Sequence, residues 1–233
     1  MKPIPPLPRA AFLLDLDGTL IDIAPTPASV VVPQSLPPSL AALRSKCGDA
    51  VAVVSGRPIA EIDALLGGAP FAVAAEHGAV VRHAPGLKLV SPTLPTVPEA
   101  WLQSARSLAE RHEGAAVERK THGFVLHYRA VPDRAEVFHL ALQTLMAGSQ
   151  DFALLPAKMA WEVRPAAVNK GLAVEALMAS SPFAGRVPVF VGDDVTDDDG
   201  IAAAERLGGV GLKVGKDLPS AQAVRDWIAG LAA

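Results

Sequence analysis

The chain has a single cysteine and a single tyrosine among its 233 residues, and aromatic side chains make up only 5% of it. A lone thiol, Cys47, cannot close an internal disulfide, which excludes a stapled secreted scaffold and fits a reducing compartment. No histidine adjoins Cys47, so we read it as a small buried helical side chain and not as a nucleophile. Charge of one sign is also missing. Lys plus Arg number 21 and Asp plus Glu number 24, for a net charge of -3. That balance gives no general attraction to phosphate polymers, and no basic run with interleaved aromatics marks a nucleic-acid surface. Long hydrophobic runs are absent too. The uncharged stretch from Ile23 to Leu43 is broken by prolines 25, 27, 33, 37 and 38, which forbid a spanning helix. The apolar run Ala10 to Leu14 is too short for a secretory signal. No nucleic-acid or membrane partner and a cytoplasmic location are therefore expected.

Several ligand-binding patterns are missing as well. Gly211 to Gly215-Lys216 has three intervening residues and no following Ser or Thr, so it misses the phosphate-loop pattern. No Gly-x-Gly-x-x-Gly follows the first strand, as a dinucleotide fold requires. The six histidines lack zinc-protease spacing.

Half of the residues are hydrophobic and 19% are charged, enough apolar material for a substantial core. Short β-branched runs bounded by Gly or Pro alternate with amphipathic stretches, the pattern of a parallel sheet with helices on both faces. Strands are expected at Ala11–Leu14, Ala50–Val54, Phe71–Ala75, Val187–Val191 and Val210–Val214. Helices are expected near Leu36–Lys46, from Pro58, from Lys170 to about Ala179, from Thr196, and near Ser220–Gly230. The middle reads differently. A hairpin over Val80–Val90 turning at Pro85-Gly86 precedes a helix over Glu99–Arg111. Strands at Ala116–Arg119 and Phe124–Tyr128 follow, then a helix over Asp133–Met146 and strands at Phe152–Leu155 and Ala160–Arg164. The fold class expected is thus α/β, a doubly wound, mainly parallel core formed by residues 1–83 and 166–233. A smaller α+β cap, residues 84–165, is inserted in it.

The chemistry concentrates at strand ends. In Phe12-Leu13-Leu14-Asp15-Leu16-Asp17-Gly18-Thr19-Leu20 an apolar strand runs into two acids, where ligands of open α/β sheets bind. On an extended segment Asp15 and Asp17 would share a side, and two anions held together need a cation or a shared proton. Alone, such a pair could also simply cap the following turn. The design recurs, however, in Val189-Phe190-Val191-Gly192-Asp193-Asp194-Val195-Thr196-Asp197. Two acid clusters on strands of one sheet make an oxygen-rich site suited to magnesium. Ser55-Gly56-Arg57 after the second strand adds a hydroxyl, and Lys170 in Asn169-Lys170-Gly171 adds a positive charge. Taken singly, Ser55 fits a turn equally well, and Lys170 fits a solvated surface better.

These four pieces, in this order and across the whole chain, resemble the haloacid-dehalogenase superfamily of phosphohydrolases. The resemblance implies that Asp15 is a nucleophile forming an aspartyl phosphate and that Asp17 is the general acid and base. Ser55 and Lys170 would hold phosphoryl oxygens. Magnesium would be bound by Asp15, Asp193 and the backbone carbonyl of Asp17, with Asp197 supporting it. Gly18, Thr19, Gly56 and Arg57 would line the substrate.

Between the Ser55 and Lys170 elements, three patterns are similar to those of trehalose-6-phosphate phosphatases. They are Glu118-Arg119-Lys120 leading to His127-Tyr128-Arg129, Lys158-x-x-x-Glu162-Val163-Arg164-Pro165, and Glu76-His77-Gly78. That likeness implies a small sugar phosphate as substrate and sugar-hydroxyl contacts from Glu118, Lys120, Arg129, Glu162, Lys158 and His77. Charged groups alternating along a strand present such contacts to one face, although the same spacing serves a plain cross-strand ion pair. Asp198 stands where the family commonly has Glu, and Gly200-Ile201 replaces an Ala-aromatic ending. Other sugar phosphates (sucrose phosphate, mannosylglycerate phosphate), a hexose phosphomutase and a non-catalytic regulatory module remain alternatives at this point. A monomer is expected.

Overall fold

The computed structural model describes residues 2–24, 29–67, 72–84, 86–90 and 92–233. The chain divides into two units, residues 1–91 with 169–233, and residues 92–168.

The first unit is built on a six-stranded sheet in the order β10-β9-β1-β2-β3-β4. Its strands are β1 (Ala10–Leu14), β2 (Val51–Val54), β3 (Ala72–Ala75), β4 (Val80–Arg82), β9 (Val187–Gly192) and β10 (Val210–Lys213). All neighbours pair in parallel except β4, which runs antiparallel to β3 at the edge. Residues of β1, β2 and β3 are buried without alternation, as both faces of a parallel sheet must be covered. Alternate residues serve the two layers. Phe12, Leu14, Val51, Val53, Val189 and Val191 pack with the helices α1 (Leu36–Lys46), α2 (Ile59–Leu66) and α7 (Ala221–Ala232). Leu13, Ala52, Val54 and Phe190 face α5 (Lys170–Met178) and α6 (Thr196–Arg206). The fold class is the α/β one expected.

Helix starts follow local chemistry. Pro58 precedes α2 as its N-cap, since a proline at a helix start gives up no needed N–H. Asn169 caps α5 by accepting the Leu172 N–H at 2.8 Å, and Ser220 caps α7 through Ala223, as short polar side chains do. The unusual Gly200-Ile201 pair has a packing reason. A Cβ at Gly200 would collide with the Phe190 ring, and Ile201 lies where a Cβ on Gly211 would stand. The small residue on α6 thus accommodates a large one on β9, and the large one fills over a glycine of β10.

The expected hairpin over Val80–Val90 is present only as β4 and a bridge from Val81 to Val90. Its turn residue Pro85 and the expected strand start Phe71 lie outside the described residues.

The second unit is a four-stranded antiparallel sheet in the order β5-β6-β8-β7. The strands are β5 (Ala116–Arg119), β6 (Phe124–His127), β7 (Phe152–Ala157) and β8 (Ala160–Pro165), with helices α3 (Glu99–Glu110) and α4 (Ala135–Leu145). Asp133, the expected start of the helix, lies instead in a short 3-10 turn, Pro132–Arg134, ahead of α4. Phe124, Leu126, Phe152 and Val163 form one sheet face, which packs with Leu102, Ala105, Phe138 and Leu142 of the helices. The opposite face carries the polar residues, because Glu118 pairs with Val125 and Val125 with Glu162. Gly123 permits the close approach of β6 to β8, since a Cβ there would strike the Val163 carbonyl.

Candidate active site

Three adjacent parallel strands, β9, β1 and β2, end at one rim, and the chemistry-bearing residues follow directly from them. Register places Leu14 beside Val191 and Val53. The Asp15 N–H extends this ladder by donating to the Val191 carbonyl at 2.9 Å. Asp15 and the acids after β9 therefore meet. Carboxylate oxygens of Asp15, Asp193 and Asp197 all lie within 4.8 Å of one another, the single such acid, His or Cys cluster among the described residues.

Lys170, the first residue of α5, reaches into this cluster. Its Nζ donates to Asp15 Oδ1 and to Asp197 Oδ1, both at 2.6 Å. Lys170 is 3% exposed, Asp15 3% and Asp197 0%, so these charges stand in a medium that screens them poorly. Burial lifts the Asp15 carboxyl well above the usual carboxylate range, Lys170 opposes that, and Asp197 and Asp193 reinforce it. Burial alone would pull Lys170 down, but Asp15 and Asp197 hold it firmly protonated. Asp193 is raised by burial and by repulsion from Asp197 and Asp194. One ammonium thus faces three carboxylates, an imbalance that a bound cation relieves.

The site's frame is tightly specified. Asp197 Oδ2 accepts the backbone N–H groups of Asp193 at 3.0 Å and Asp194 at 2.9 Å, fixing the loop ahead of α6. Gly18 has φ +89°, and a Cβ on it would collide with the Asp193 carboxylate. That position needs glycine for its backbone and for the space. Buried Thr19 donates toward Asp193 Oδ1 at 3.5 Å. Gly18 and Thr19, expected against substrate, are here placed against Asp193.

Asp17, expected to share a side with Asp15, is not part of the cluster that holds Asp15. The strand ends at Leu14 and the chain turns at Gly18, so the two-residue alternation of a strand no longer applies. The Asp17 carboxylate is outside the acid cluster and is gripped by Arg57, with Nε to Oδ2 at 2.6 Å and the second guanidinium nitrogen to Oδ1 at 2.8 Å. Glu61 one turn later holds the same guanidinium at 3.0 Å. Such a two-pronged pair fixes orientation as well as charge. Arg57, expected as a substrate contact, is in this structure the partner of Asp17.

Ser55 is buried at the end of β2, and its Oγ accepts the Arg57 N–H at 3.2 Å. The Glu76-His77-Gly78 turn is laced to this loop. Glu76 N–H donates to the Arg57 carbonyl at 3.1 Å and His77 N–H to the Ser55 carbonyl at 2.9 Å. Glu76 and His77 adopt left-handed conformations, φ 48° and 57°, which cost non-glycine residues about 1–3 kcal/mol each. A Cβ on Gly56 would strike the buried His77 imidazole. His77 thereby packs on the Ser55 loop.

In the second unit, Glu118 Oε2 lies 2.9 Å from His127 Nε2, and Lys120 pairs with the other Glu118 oxygen. The bond from His127, then Lys120, holds the Glu118 carboxyl down at about 2. Because this folded value lies below the ordinary 4.5, the cluster stabilises the fold above that ordinary value and loses its contribution as pH falls toward 2. Glu118→Gln is therefore expected to flatten the acid limb of a denaturant-midpoint profile between pH 4.5 and about 2. An unchanged limb counts against the pairing. Glu162 shares the face of Glu118, with Arg164 4.0 Å from it. Arg129 is exposed beyond β6, and Lys158 is exposed in the β7–β8 turn. Sequence reasoning passed over His127 and Arg164 as site residues, although strand alternation from Glu162 places Arg164 on that same face.

No helix among the described residues is long and apolar enough to cross a membrane.

The sequence model of the trehalose-phosphatase family matches residues 13–225. The chain belongs to that family. A probable trehalose-phosphate phosphatase of Sinorhizobium fredii is 40% identical over 233 aligned residues, covering 95% of this chain and 87% of the relative. The trehalose-6-phosphate phosphatase of Escherichia coli is 36% identical, covering 89% and 78%. Among solved structures, the C-terminal domain of Candida albicans trehalose-6-phosphate phosphatase superposes with a TM-score of 0.83 at 24% identity, over 96% of this chain and 92% of that one. A haloacid dehalogenase-like hydrolase of Bacteroides thetaiotaomicron, TM-score 0.67 at 11% identity over 95% and 99% of the two chains, shares the fold. For this trehalose-phosphatase family member the acid cluster is thus a candidate metal centre. Its donors are all carboxylate oxygens, the set that hard divalent cations prefer. A cavity of about 320 Å³ lined in part by Gly18, Asp22, Asp193 and Ser220 gives Asp193 an approach from solvent.

Proposed function

We propose that the chain hydrolyses trehalose 6-phosphate to trehalose and inorganic phosphate, with Asp15 as nucleophile. The observation that carries this is the buried Asp15–Lys170–Asp197 array beside Asp193, on a chain of the trehalose-phosphatase family. Asp15, Asp193 and Asp197 would hold magnesium, together with the backbone carbonyl of Asp17. The ion would supply positive charge against the phosphoryl oxygens and the attacking carboxylate.

The residues divide the work as follows. Lys170 and Ser55 bind the phosphoryl group and reduce its repulsion of the Asp15 carboxylate. An Asp15 oxygen bonds to phosphorus while the phosphorus–sugar oxygen bond breaks, and Asp17 gives its proton to the departing sugar oxygen. Asp17 then takes a proton from water, whose oxygen attacks phosphorus. The bond to Asp15 breaks, releasing phosphate and restoring both carboxyl groups. Arg57 must share or release Asp17 for the first of these transfers. Glu118, Lys120, His127 and Glu162 recognise sugar hydroxyls, with donors and acceptors alternating on one sheet face.

A phosphate-release panel with and without magnesium tests the substrate. Trehalose 6-phosphate should be strongly preferred over sucrose 6-phosphate, mannosylglycerate phosphate and glucose 6-phosphate. Fast release from glucose 6-phosphate with none from trehalose 6-phosphate ends the reading. Glu118→Ala should lower kcat/KM for trehalose 6-phosphate by roughly 10–100-fold, the worth of one charged hydrogen bond. The small ester p-nitrophenyl phosphate should be turned over near the wild-type rate. Equal losses on both would assign Glu118 to folding.

We also take the enzyme to be a cytoplasmic monomer. The chain's one cysteine, Cys47, is buried and free, which fits a reducing compartment. Light scattering at working concentration checks the second point.

A further inference from the structure

We propose that Lys213 is a positioning residue for the metal site, strapping the Asp193–Asp198 segment so that Asp193 and Asp197 stay turned toward Asp15. The inference rests on the magnesium reading above. Lys213 is the last residue of β10 and pairs with Gly192, the residue before Asp193. Its side chain therefore starts beside the loop that carries the acids. Its Nζ donates to the Asp194 carbonyl at 2.5 Å and to Asp198 Oδ1 at 2.6 Å. One ammonium so ties the start of the loop to the first turn of α6.

The stem of this strap is itself fixed. Lys213 N–H donates to Asp217 Oδ2 at 2.9 Å, and the next residue, Val214, donates to the Gly192 carbonyl at 2.9 Å. The loop and first turn of α6 carry acids at 193, 194, 197, 198 and 199, whose mutual repulsion favours opening the segment. Lys213 opposes that from a side where it bonds neither Asp193 nor Asp197. Asp193 is thus left facing Asp15 for a cation, and Asp197 keeps the bonds to Lys170 and to the Asp193 and Asp194 N–H groups that orient it. The arrangement also gives Asp198 a partner, because its carboxylate ends on Lys213 Nζ.

The test uses the whole chain and magnesium chloride, with affinity read by calorimetric titration and folding by melting in metal-free buffer. Lys213→Met should weaken magnesium binding about tenfold, the lower end of what removing a partner that orients metal ligands costs. Its metal-free melt should stay close to wild type, and Lys213→Arg should restore most of the affinity. Asp198→Asn, which leaves the Asp194 contact in place, should weaken binding less, and adding it to Lys213→Met should weaken binding no further. Wild-type affinity in a folded Lys213→Met variant overturns the strap. Should that variant not fold, Asp198→Asn decides, and unchanged affinity there overturns it equally. Wild-type protein that binds no magnesium removes the metal reading itself, and the strap with it.

Discussion

Asp15→Asn is expected to abolish phosphate release from trehalose 6-phosphate, by on the order of 10⁴-fold or more, as loss of a nucleophile does elsewhere. The fold should survive. Asp15 is a buried carboxyl raised well above its ordinary range by burial and by its acidic neighbours, so its ionised form opposes folding near neutrality. An amide of the same shape removes that opposition while Lys170 keeps its bond to Asp197. The melt in metal-free buffer should therefore hold steady or rise as activity vanishes. A folded variant with more than a few per cent of wild-type turnover would contradict the assignment.

Lys170→Met should instead damage stability and activity together. Removing the ammonium leaves Asp15 and Asp197 buried beside each other and Asp193 without the cation that pairs them, although Asp197 keeps its two backbone N–H donors. Breaking one member out of a buried charge network costs about 3–5 kcal/mol. A drop in denaturant midpoint of that size is expected in metal-free buffer. Saturating magnesium should recover part of it, because a cation that binds only the folded state stabilises by mass action. Turnover should not recover with it, since the phosphoryl-binding charge is gone. A midpoint unchanged in metal-free buffer would mean the acids are already neutral or solvated, against the geometry found here.

The contrast between these variants follows from what each side chain faces. Asp15 adds a charge to a site already overloaded with acids, and Lys170 is the ammonium buried among them. In the proposed mechanism the first is held in place for chemistry at a cost to folding, and the second serves both.

Much of this arrangement was legible in the residues. A hydrophobic strand followed at once by acids occurs at Asp15 and again at Asp193, and parallel pairing of β1 with β9 brings the two together. Strand alternation likewise placed Glu118 and Lys120 on one face. The side-chain direction of Asp17 was not legible, because alternation stops where the strand stops and the Gly18 turn begins. Nor was Arg57 as its partner, since a Ser-Gly-Arg loop reads equally well as a phosphate contact. Lys213 left no local signal at all. Its role depends on β10 lying beside β9 in a register that sets it against Gly192, a pairing between segments about twenty residues apart that no motif encodes. The left-handed pair Glu76 and His77 was equally hidden, as non-glycine residues rarely take that conformation. The setting of Asp198 and the departure at Gly200-Ile201 became intelligible only through their neighbours, Lys213, Phe190 and Gly211.

The most direct measurement is to capture the covalent species itself. Wild-type protein turning over trehalose 6-phosphate with magnesium is acid-quenched and reduced with borohydride, which converts an aspartyl phosphate to homoserine, and its peptides are sequenced by mass spectrometry. Homoserine at position 15, absent without substrate, is the predicted result. Homoserine at another acid, or none in enzyme shown to be releasing phosphate as it is quenched, would contradict it.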